Sequence, residues 1–249
     1  MNPHHLINRF TRSHPIRLIT LLVCTCASDA VAGFVFNPNL AIPDNSILGV
    51  ADTQIISMPE GIITGVKLSL NIAGTPAVSN AFNGDFYAYL QHASGFTVLL
   101  NRTGRTASNP SGYGDSGFDV TFDDAAVNGD IHSYRDSVNP AGGALTGTWQ
   151  PDGRTTNPNS VLLTDARPAL LSSFNGLDPN GAWTLFVADV SPISTGTLKS
   201  WTLDLTVTPI PEPGTIGFGI LLLVFCGGTA GRTKMMPRGK LCPPNVEGR

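Results

Sequence analysis

The chain has 249 residues, a formal net charge of −3, only 13% charged residues, 27 glycines and 19 prolines. This length holds one or two domains, and a composition rich in Gly and Pro favours short strands and turns over long solvated helices. The negative charge and the scattered arginines argue against a nucleic-acid partner, because a surface that follows phosphates needs clustered Lys and Arg.

The first 32 residues have the three parts of a secretory signal peptide. Three arginines within the first 17 residues precede an apolar stretch over residues 18–27, and Ala30-Val31-Ala32 offers residues that signal peptidase accepts. The apolar stretch is shorter than the roughly 20 residues that a membrane-spanning helix takes. We therefore expect residues 1–32 to be cleaved on export by signal peptidase rather than to remain as an anchor.

Residues 33–208 read as one all-β domain. Apolar and polar residues alternate with period two in five segments, and turns rich in Gly, Asn, Asp and Pro separate them, which predicts an antiparallel β-sandwich with one core. Residues 137–164 alternate only weakly, around Ala144 to Trp149, and we expect loops or edge strands there. The five predicted strands are centred on Val66–Ile72, Phe86–Leu90, Phe118–Phe122, Trp183–Val187 and Trp201–Val207.

The four cysteines lie outside this domain, at positions 24, 26, 226 and 242. Their placement excludes a disulfide scaffold, a Cys-ligated zinc site and a cysteine nucleophile from the domain. Its stability must come from apolar burial, with or without bound ions.

Segments over roughly residues 40–207 resemble the proprotein convertase P domain, also called the P/Homo B domain. The most specific part is the closing pair of strands, in which Trp183 and Trp201 bracket a turn carrying Asp189 and Gly196. The resemblance implies a jelly-roll β-sandwich. Such domains often follow a subtilisin-like protease and stabilise it, and bacteria also carry them without a protease.

Catalysis by the domain has little support in the sequence. Once the signal peptide is removed, only His92 and His132 could serve as the base of a Ser-His-Asp triad. Gly114-Asp115-Ser116-Gly117 mimics the loop around the serine of trypsin-like proteases, but no histidine stands in the matching upstream motif and His92 lies too close in sequence. We interpret this segment as a turn before the strand at Phe118 and expect no enzymatic activity.

Calcium binding is the better-founded hypothesis for a site. Asp123 and Asp124 follow a strand, and Asp85 and Asp189 occupy positions near turns that match acidic positions of the resembled family, some of whose bacterial members bind calcium. Loop carboxylates suit Ca²⁺, although Asp is also an ordinary turn residue. We hypothesise that Asp123, Asp124 and Asp189 include a calcium site.

The C-terminal region, residues 209–249, has the order of a sorting signal. Prolines at 209, 211 and 213 break the last strand, an apolar run over residues 216–225 follows, and Arg232 opens a basic tail, residues 232–249. The motif Pro211-Glu212-Pro213 with this run and tail resembles the PEP-CTERM signal of Gram-negative bacteria, although the tail is longer than usual. The resemblance implies that residues 209–231 comprise the sorting motif and a short transmembrane helix that anchors the protein transiently in the inner membrane. An exosortase would recognise the motif and remove the helix.

Two functions follow from these features. The first is an exported, non-catalytic adhesion or interaction module, delivered to the cell surface or the exopolysaccharide matrix, with exopolysaccharide or cell-surface components as partners. The second is an accessory or stabilising domain for a separate subtilisin-like protease, which rests on resemblance alone. Carbohydrate binding on the sandwich is a third possibility, with four candidate stacking residues: Tyr87, Tyr89, Tyr113 and Trp149.

Overall fold

The computed structural model describes residues 28–74 and 80–210, which form ten β-strands and three short 3₁₀ helices. The 3₁₀ helices are Asn83–Asp85, Ile131–Asp136 and Leu171–Phe174. The strands are β1 (Ala30–Phe36), β2 (Leu40–Ala41), β3 (Ser46–Ile56), β4 (Gly61–Gly74), β5 (Phe86–His92), β6 (Gly95–Asn101), β7 (Phe118–Phe122), β8 (Leu145–Trp149), β9 (Gly181–Asp189) and β10 (Gly196–Pro209).

Six strands form the first sheet, in the order β1-β10-β4-β7-β8, with β2 also paired to β10. β4 and β10 have 14 residues each and run antiparallel from the pair Gly61 and Pro209 to the pair Gly74 and Gly196. The pairs in this sheet are antiparallel except β7 with β8, which are parallel. β10 therefore joins the N-terminal strands to the rest of the sheet.

Four strands form the second sheet, in the order β3-β9-β5-β6, and all three pairings are antiparallel. The edge strand β3 has an irregular register between Ser46 and Val50. Gly49 lies in that irregularity with φ +50, and an added Cβ would meet the carbonyl oxygen of Val187 at 2.3 Å and the ring of Phe186 at 2.8 Å. Only glycine fits this backbone position without displacing β9.

The core lies between the two sheets. It combines inward-facing residues of the first sheet, such as Leu68 and Leu203, with those of the second, such as Leu90 and Leu185. The strands alternate as a two-layer sandwich requires: in β10 the residues from Trp201 to Val207 are alternately buried and half-buried. The all-β sandwich is thus confirmed, and both sheets are predominantly antiparallel.

The five predicted strands are confirmed as β4, β5, β7, β9 and β10. The weakly alternating segment after residue 137 contains one strand, β8, at the edge of the first sheet, as expected for an edge strand. Its direction differs from the expected antiparallel arrangement, because the long connection through the 3₁₀ helix Ile131–Asp136 returns the chain to the starting end of β7. A parallel pair needs such a long connection.

β1 begins at Ala30, so residues 30–32 of the predicted signal peptide are paired with β10 in this structure. Of the rest of that signal, residues 1–27 lie outside the described residues. The predicted sorting motif Pro211-Glu212-Pro213, the apolar run and the basic tail also lie outside them. Within residues 28–74 and 80–210, no helix is long and apolar enough to cross a membrane.

The position of Leu203 generates a prediction about stability. Leu203 is fully buried in β10, between Phe34 of β1 and Leu68 of β4. Because Leu203→Ala would leave a cavity in a core that has no disulfide to support it, we expect it to lower the free energy of unfolding by about 2–5 kcal/mol. Urea denaturation followed by tryptophan fluorescence measures the change.

The matched control is Val35→Ala in β1, where the side chain is 65% exposed. It should change the free energy of unfolding by no more than about 0.5 kcal/mol. Equal effects of the two substitutions would contradict the placement of the core.

Candidate functional site

A pair of buried aspartates lies where β5 begins and β9 ends. Asp189 is the register partner of Phe86, the residue after Asp85. The carboxylate of Asp85 accepts a hydrogen bond from the hydroxyl of Ser194 (3.0 Å), and Asp189 Oδ1 accepts one from the backbone N–H of Ser191 (3.2 Å). Asp189 Oδ2 is buried without a hydrogen-bond partner among the described residues.

Burial is the main cause that raises the pKa of Asp189 to about 7, and the nearby carboxylates of Asp85 and Asp44 raise it further. Burial also raises the pKa of Asp85, although hydrogen bonds from Ser194 and Ser191 partly oppose this. A proton on Asp189 relieves the repulsion between two carboxylates that are buried away from solvent. The protonation of this pair is therefore coupled to folding.

The other predicted calcium ligands lie elsewhere. Asp123 and Asp124 follow β7 in the first sheet, whereas Asp189 ends β9 in the second. Asp123 forms an ion pair with Lys67 (2.8 Å), and Asp124 accepts backbone hydrogen bonds from Leu171 and Ser172 at the start of a 3₁₀ helix. The described part of the chain holds no cluster of three or more His, Cys, Asp or Glu residues suited to a metal. These three carboxylates do not form one ligand set, and calcium binding stays a prediction.

His132 belongs to a buried network of charges. Its Nδ1 lies 2.7 Å from Asp152 Oδ2 and its Nε2 lies 3.0 Å from the carbonyl oxygen of Arg105. Arg154, 2% exposed, donates to Asp152 Oδ1 (3.1 Å) and to Asp130 Oδ2 (2.7 Å). Burial lowers the pKa of His132, but the hydrogen bond and charge of Asp152 outweigh it, so the pKa is raised overall. Both ring nitrogens are thus used in holding loops together.

The other predicted triad candidates also have local structural partners. The His92 ring stacks on Trp183 at 4.1 Å, and its nitrogens lie within 2.9 Å of the carbonyl oxygens of Ala182 and Asp178. Ser116 Oγ accepts a hydrogen bond from the backbone N–H of Ala81 (3.2 Å).

Asp115, in the segment that mimics a protease loop, is fully buried. It accepts hydrogen bonds from the Tyr134 hydroxyl (2.6 Å), Arg135 Nε (2.7 Å) and the backbone N–H of Gly142 (3.0 Å). Burial alone would raise its pKa, but these three donors together lower it. Asp115 therefore fixes the connection before β7. That connection is an extended loop rather than the predicted turn, and in it Ser116 forms an isolated bridge with Phe82.

Aromatic side chains gather on the outer face of the second sheet. Tyr89 of β5 is the register partner of Phe186 in β9, and their rings stack with centroids 4.8 Å apart and an interplanar angle of 18°. Phe96 of β6 lies 5.2 Å from the Tyr89 ring, and Tyr87 lies 6.0 Å from it on the same strand. All four rings are half-buried. We call these four residues the aromatic face.

The structure brings together two of the four predicted stacking residues, Tyr87 and Tyr89. Tyr113 packs edge-on against Tyr134 instead, with Arg135 over its ring, and Trp149 is buried in the core. Sequence reasoning missed the other two members of the aromatic face. The period-two alternation of β9 predicts that Phe186 lies on the outer face of the sheet, since Leu185 and Val187 face the core. Which side chains lie beside Phe186 on that face depends on the order of the strands.

No family model and no curated protein matches this chain. The solved structures that are similar to it include the following two. One, a crystal structure of the complex of an Aeromonas sobria serine protease with its chaperone, gives a TM-score of 0.40 at 13% identity and covers 74% of this chain and 28% of that one. The other, the serine protease of Aeromonas sobria, gives 0.39 at 13% identity and covers 72% and 27%. The chain thus spans between a quarter and a third of the length of each structure it matches.

The raised pKa of Asp189 generates a prediction about pH. Between about pH 4, where an unfolded aspartate titrates, and about pH 7, the folded protein keeps a proton that the unfolded chain has lost. The wild-type free energy of unfolding should therefore fall as pH rises through this range. Asp189→Asn removes this loss, so the variant should gain stability relative to wild type by about 1–3 kcal/mol from pH 4 to pH 8.

Urea denaturation of both proteins at several pH values measures this difference. Because His132 is present in both, its titration cancels in the comparison. A difference between the two proteins that does not change with pH would contradict the account of Asp189.

Proposed function

We propose that this protein is exported by a Gram-negative bacterium and sorted to its surface or exopolysaccharide matrix, where a P-domain-like jelly-roll sandwich acts as a non-catalytic interaction module. The observation that carries the proposal is an ordered set of sequence features. Basic residues and an apolar stretch typical of a signal peptide precede the domain, and Pro211-Glu212-Pro213, an apolar run and a basic tail follow it in that order. The basic residues would stay on the cytoplasmic side, so the domain would face outward.

The N-terminal geometry is compatible with cleavage after Ala32. Ala30 and Val31 are exposed in β1, with the side chain of Val31 74% exposed, and only the small side chain of Ala32 is half-buried. Their removal would therefore uncover little apolar surface. Residues 33–36 would keep their pairing with β10, and Phe36 would keep its ring contact with Trp201, at 4.5 Å between centroids.

The C-terminal end of the described domain supports a sorting motif that follows it directly. β10 ends at Pro209, two residues before the Pro-Glu-Pro motif, and the N–H of Ile210 still bonds to the carbonyl oxygen of Glu60. The motif would thus emerge from the sandwich edge with little intervening chain. An exosortase that cut there would release a domain whose last strand is already paired with β4 as far as Pro209.

The buried polar groups support a non-catalytic role. His92, His132 and Ser116 each hydrogen-bond to the backbone of a neighbouring segment, and Asp115 and Asp152 are bound by basic side chains. In this arrangement these groups hold turns and loops in place. The remaining exposed features of the sandwich are then the ones available for interaction.

The proposal predicts two cut ends in the protein from its native host. Mass spectrometry should find a first residue at Gly33 and a C-terminus near Pro213, without the apolar run. Glu212→Ala should leave the tail attached, because the motif would no longer be recognised. Glu60→Ala, an exposed glutamate in the described domain, serves as the matched control and should be processed normally.

An intact tail on the wild-type protein in a host that has an exosortase would contradict sorting. Retention of the protein in the cytoplasm would contradict export. Co-purification with a subtilisin-like protease would favour the accessory function instead.

A further inference from the structure

The aromatic face spans three adjacent strands of the second sheet. Phe96 belongs to β6, Tyr87 and Tyr89 to β5, and Phe186 to β9. Neighbouring strands lie about 4.8 Å apart, so the face is about 10 Å across. It is continuous, because each ring has its centroid within 6.5 Å of at least one other.

The outward side chains of β3, β5 and β9 around these rings are uncharged and, apart from the exposed Ile55 at one end of the face, polar or small. Thr53 and Thr184 lie opposite each other on β3 and β9 and share a hydrogen bond of 2.8 Å, and Gln91 is the partner of Thr184 on β5. Ala51 is the partner of Phe186 on the edge strand. These residues point outward with the rings by the alternation of the strands.

Several hydrogen-bonding groups on this face are unused. The hydroxyls of Tyr87 and Tyr89 and the amide of Gln91 have no hydrogen-bond partner among the described residues. A tyrosine combines an apolar ring with a polar tip, and such residues favour ligands that are apolar on one side and hydrogen-bonding on the other. The face therefore offers both kinds of contact side by side.

We propose that the aromatic face binds a neutral polysaccharide, which deepens the function proposed above by naming the class of partner and the surface that takes it. A pyranose ring presents C–H groups on its faces and hydroxyls around its rim. Its faces would pack on the parts of the Tyr87, Tyr89 and Phe186 rings that the stacking of Tyr89 on Phe186 leaves exposed, and its hydroxyls would bond to the tyrosine hydroxyls, Gln91 and the threonine pair. At about 10 Å, the face accommodates more than one sugar unit.

The absence of charge decides between classes of partner. An acidic polysaccharide or an acidic peptide would need basic side chains, and the residues flanking the rings on β3, β5 and β9 are Ala, Thr and Gln. The nearest charged groups are not available to a ligand. Asp52 accepts a hydrogen bond from Trp201, and Asp189 is buried. Asp152, whose charge helps to raise the pKa of Tyr87, is also buried and is paired with Arg154. A neutral polymer rich in hydroxyls matches what is exposed.

The rings also stabilise the sheet, as cross-strand aromatic pairs do by roughly 0.2–1 kcal/mol each. This role does not explain the unpaired hydroxyls or the surrounding amide and threonines. It does mean that loss of a ring could weaken the fold, so the test needs a variant that keeps apolar bulk. Phe186→Leu keeps the bulk and removes the flat ring, and Tyr89→Phe keeps the ring and removes the hydroxyl.

The experiment is affinity electrophoresis of the full chain in gels containing hydroxyethyl cellulose, dextran or galactomannan, with alginate as an acidic polymer. We expect at least one neutral polymer to retard the wild type and alginate to leave it unaffected. Phe186→Leu and Tyr89→Ala should weaken the association constant about tenfold or more, since an aromatic contact and its buried area are lost. Tyr89→Phe should bind within a few-fold of wild type, and the control Val127→Ser, at a side chain 100% exposed after β7, should bind unchanged.

Near-UV circular dichroism of each variant shows whether the fold is kept. No retardation by any of the three neutral polymers would overturn the proposal, as would retardation that Phe186→Leu leaves intact or that alginate matches. The result is separable from sorting: failure to bind with two correctly cut ends would refute only this inference. Binding by a protein whose tail is still attached when it is isolated from its native host would refute only the sorting signal.

Discussion

The rest of the structure depends on strand β10, because it is paired along its length on both sides. It holds β1 on one side and β4 on the other, so residues from the start, the first third and the end of the domain meet in one sheet. It also ties the two sheets together, since Trp201 Nε1 donates a hydrogen bond of 2.7 Å to Asp52 in β3. In a domain without cysteine, this pairing and the burial beneath it take the place of a covalent link.

The same constraint sets what the surface can do. Long connections cover the ends and edges of the sandwich, and ion pairs between side chains hold them there. Arg154 bridges Asp152 and Asp130, and Arg135 pairs with Asp115. Burying an unpaired charge costs several kcal/mol of free energy, so these side chains are needed as partners of one another within the fold. The rings of the aromatic face, on the outer side of the second sheet, take no part in these ion pairs. Tyr89 and Phe186 are therefore available for contact with a partner.

The strands and the fold class could be predicted from sequence because period-two alternation is a local signal. It identified β4, β5, β7, β9 and β10. The parallel direction of β8 and the pairing of β1 could not be predicted, since they depend on which strands become neighbours. Only two of the four residues of the aromatic face were predicted, for the same reason. Tyr87 and Tyr89 lie on one strand, whereas Phe96 and Phe186 lie beside them only because β6 and β9 are the neighbours of that strand. The sequence identified Asp189 as an acidic residue near a turn. Its raised pKa follows from its burial beside Asp85, and that burial cannot be read from the sequence.

The central claim is that an exported sandwich is held in the exopolysaccharide matrix through its uncharged aromatic surface. The most direct measurement is the distribution of the wild-type protein between the matrix and the culture medium, in host cells that make exopolysaccharide and in cells that do not. The account predicts that the protein is in the matrix of the first and is released to the medium by the second. The same distribution in both strains would contradict it.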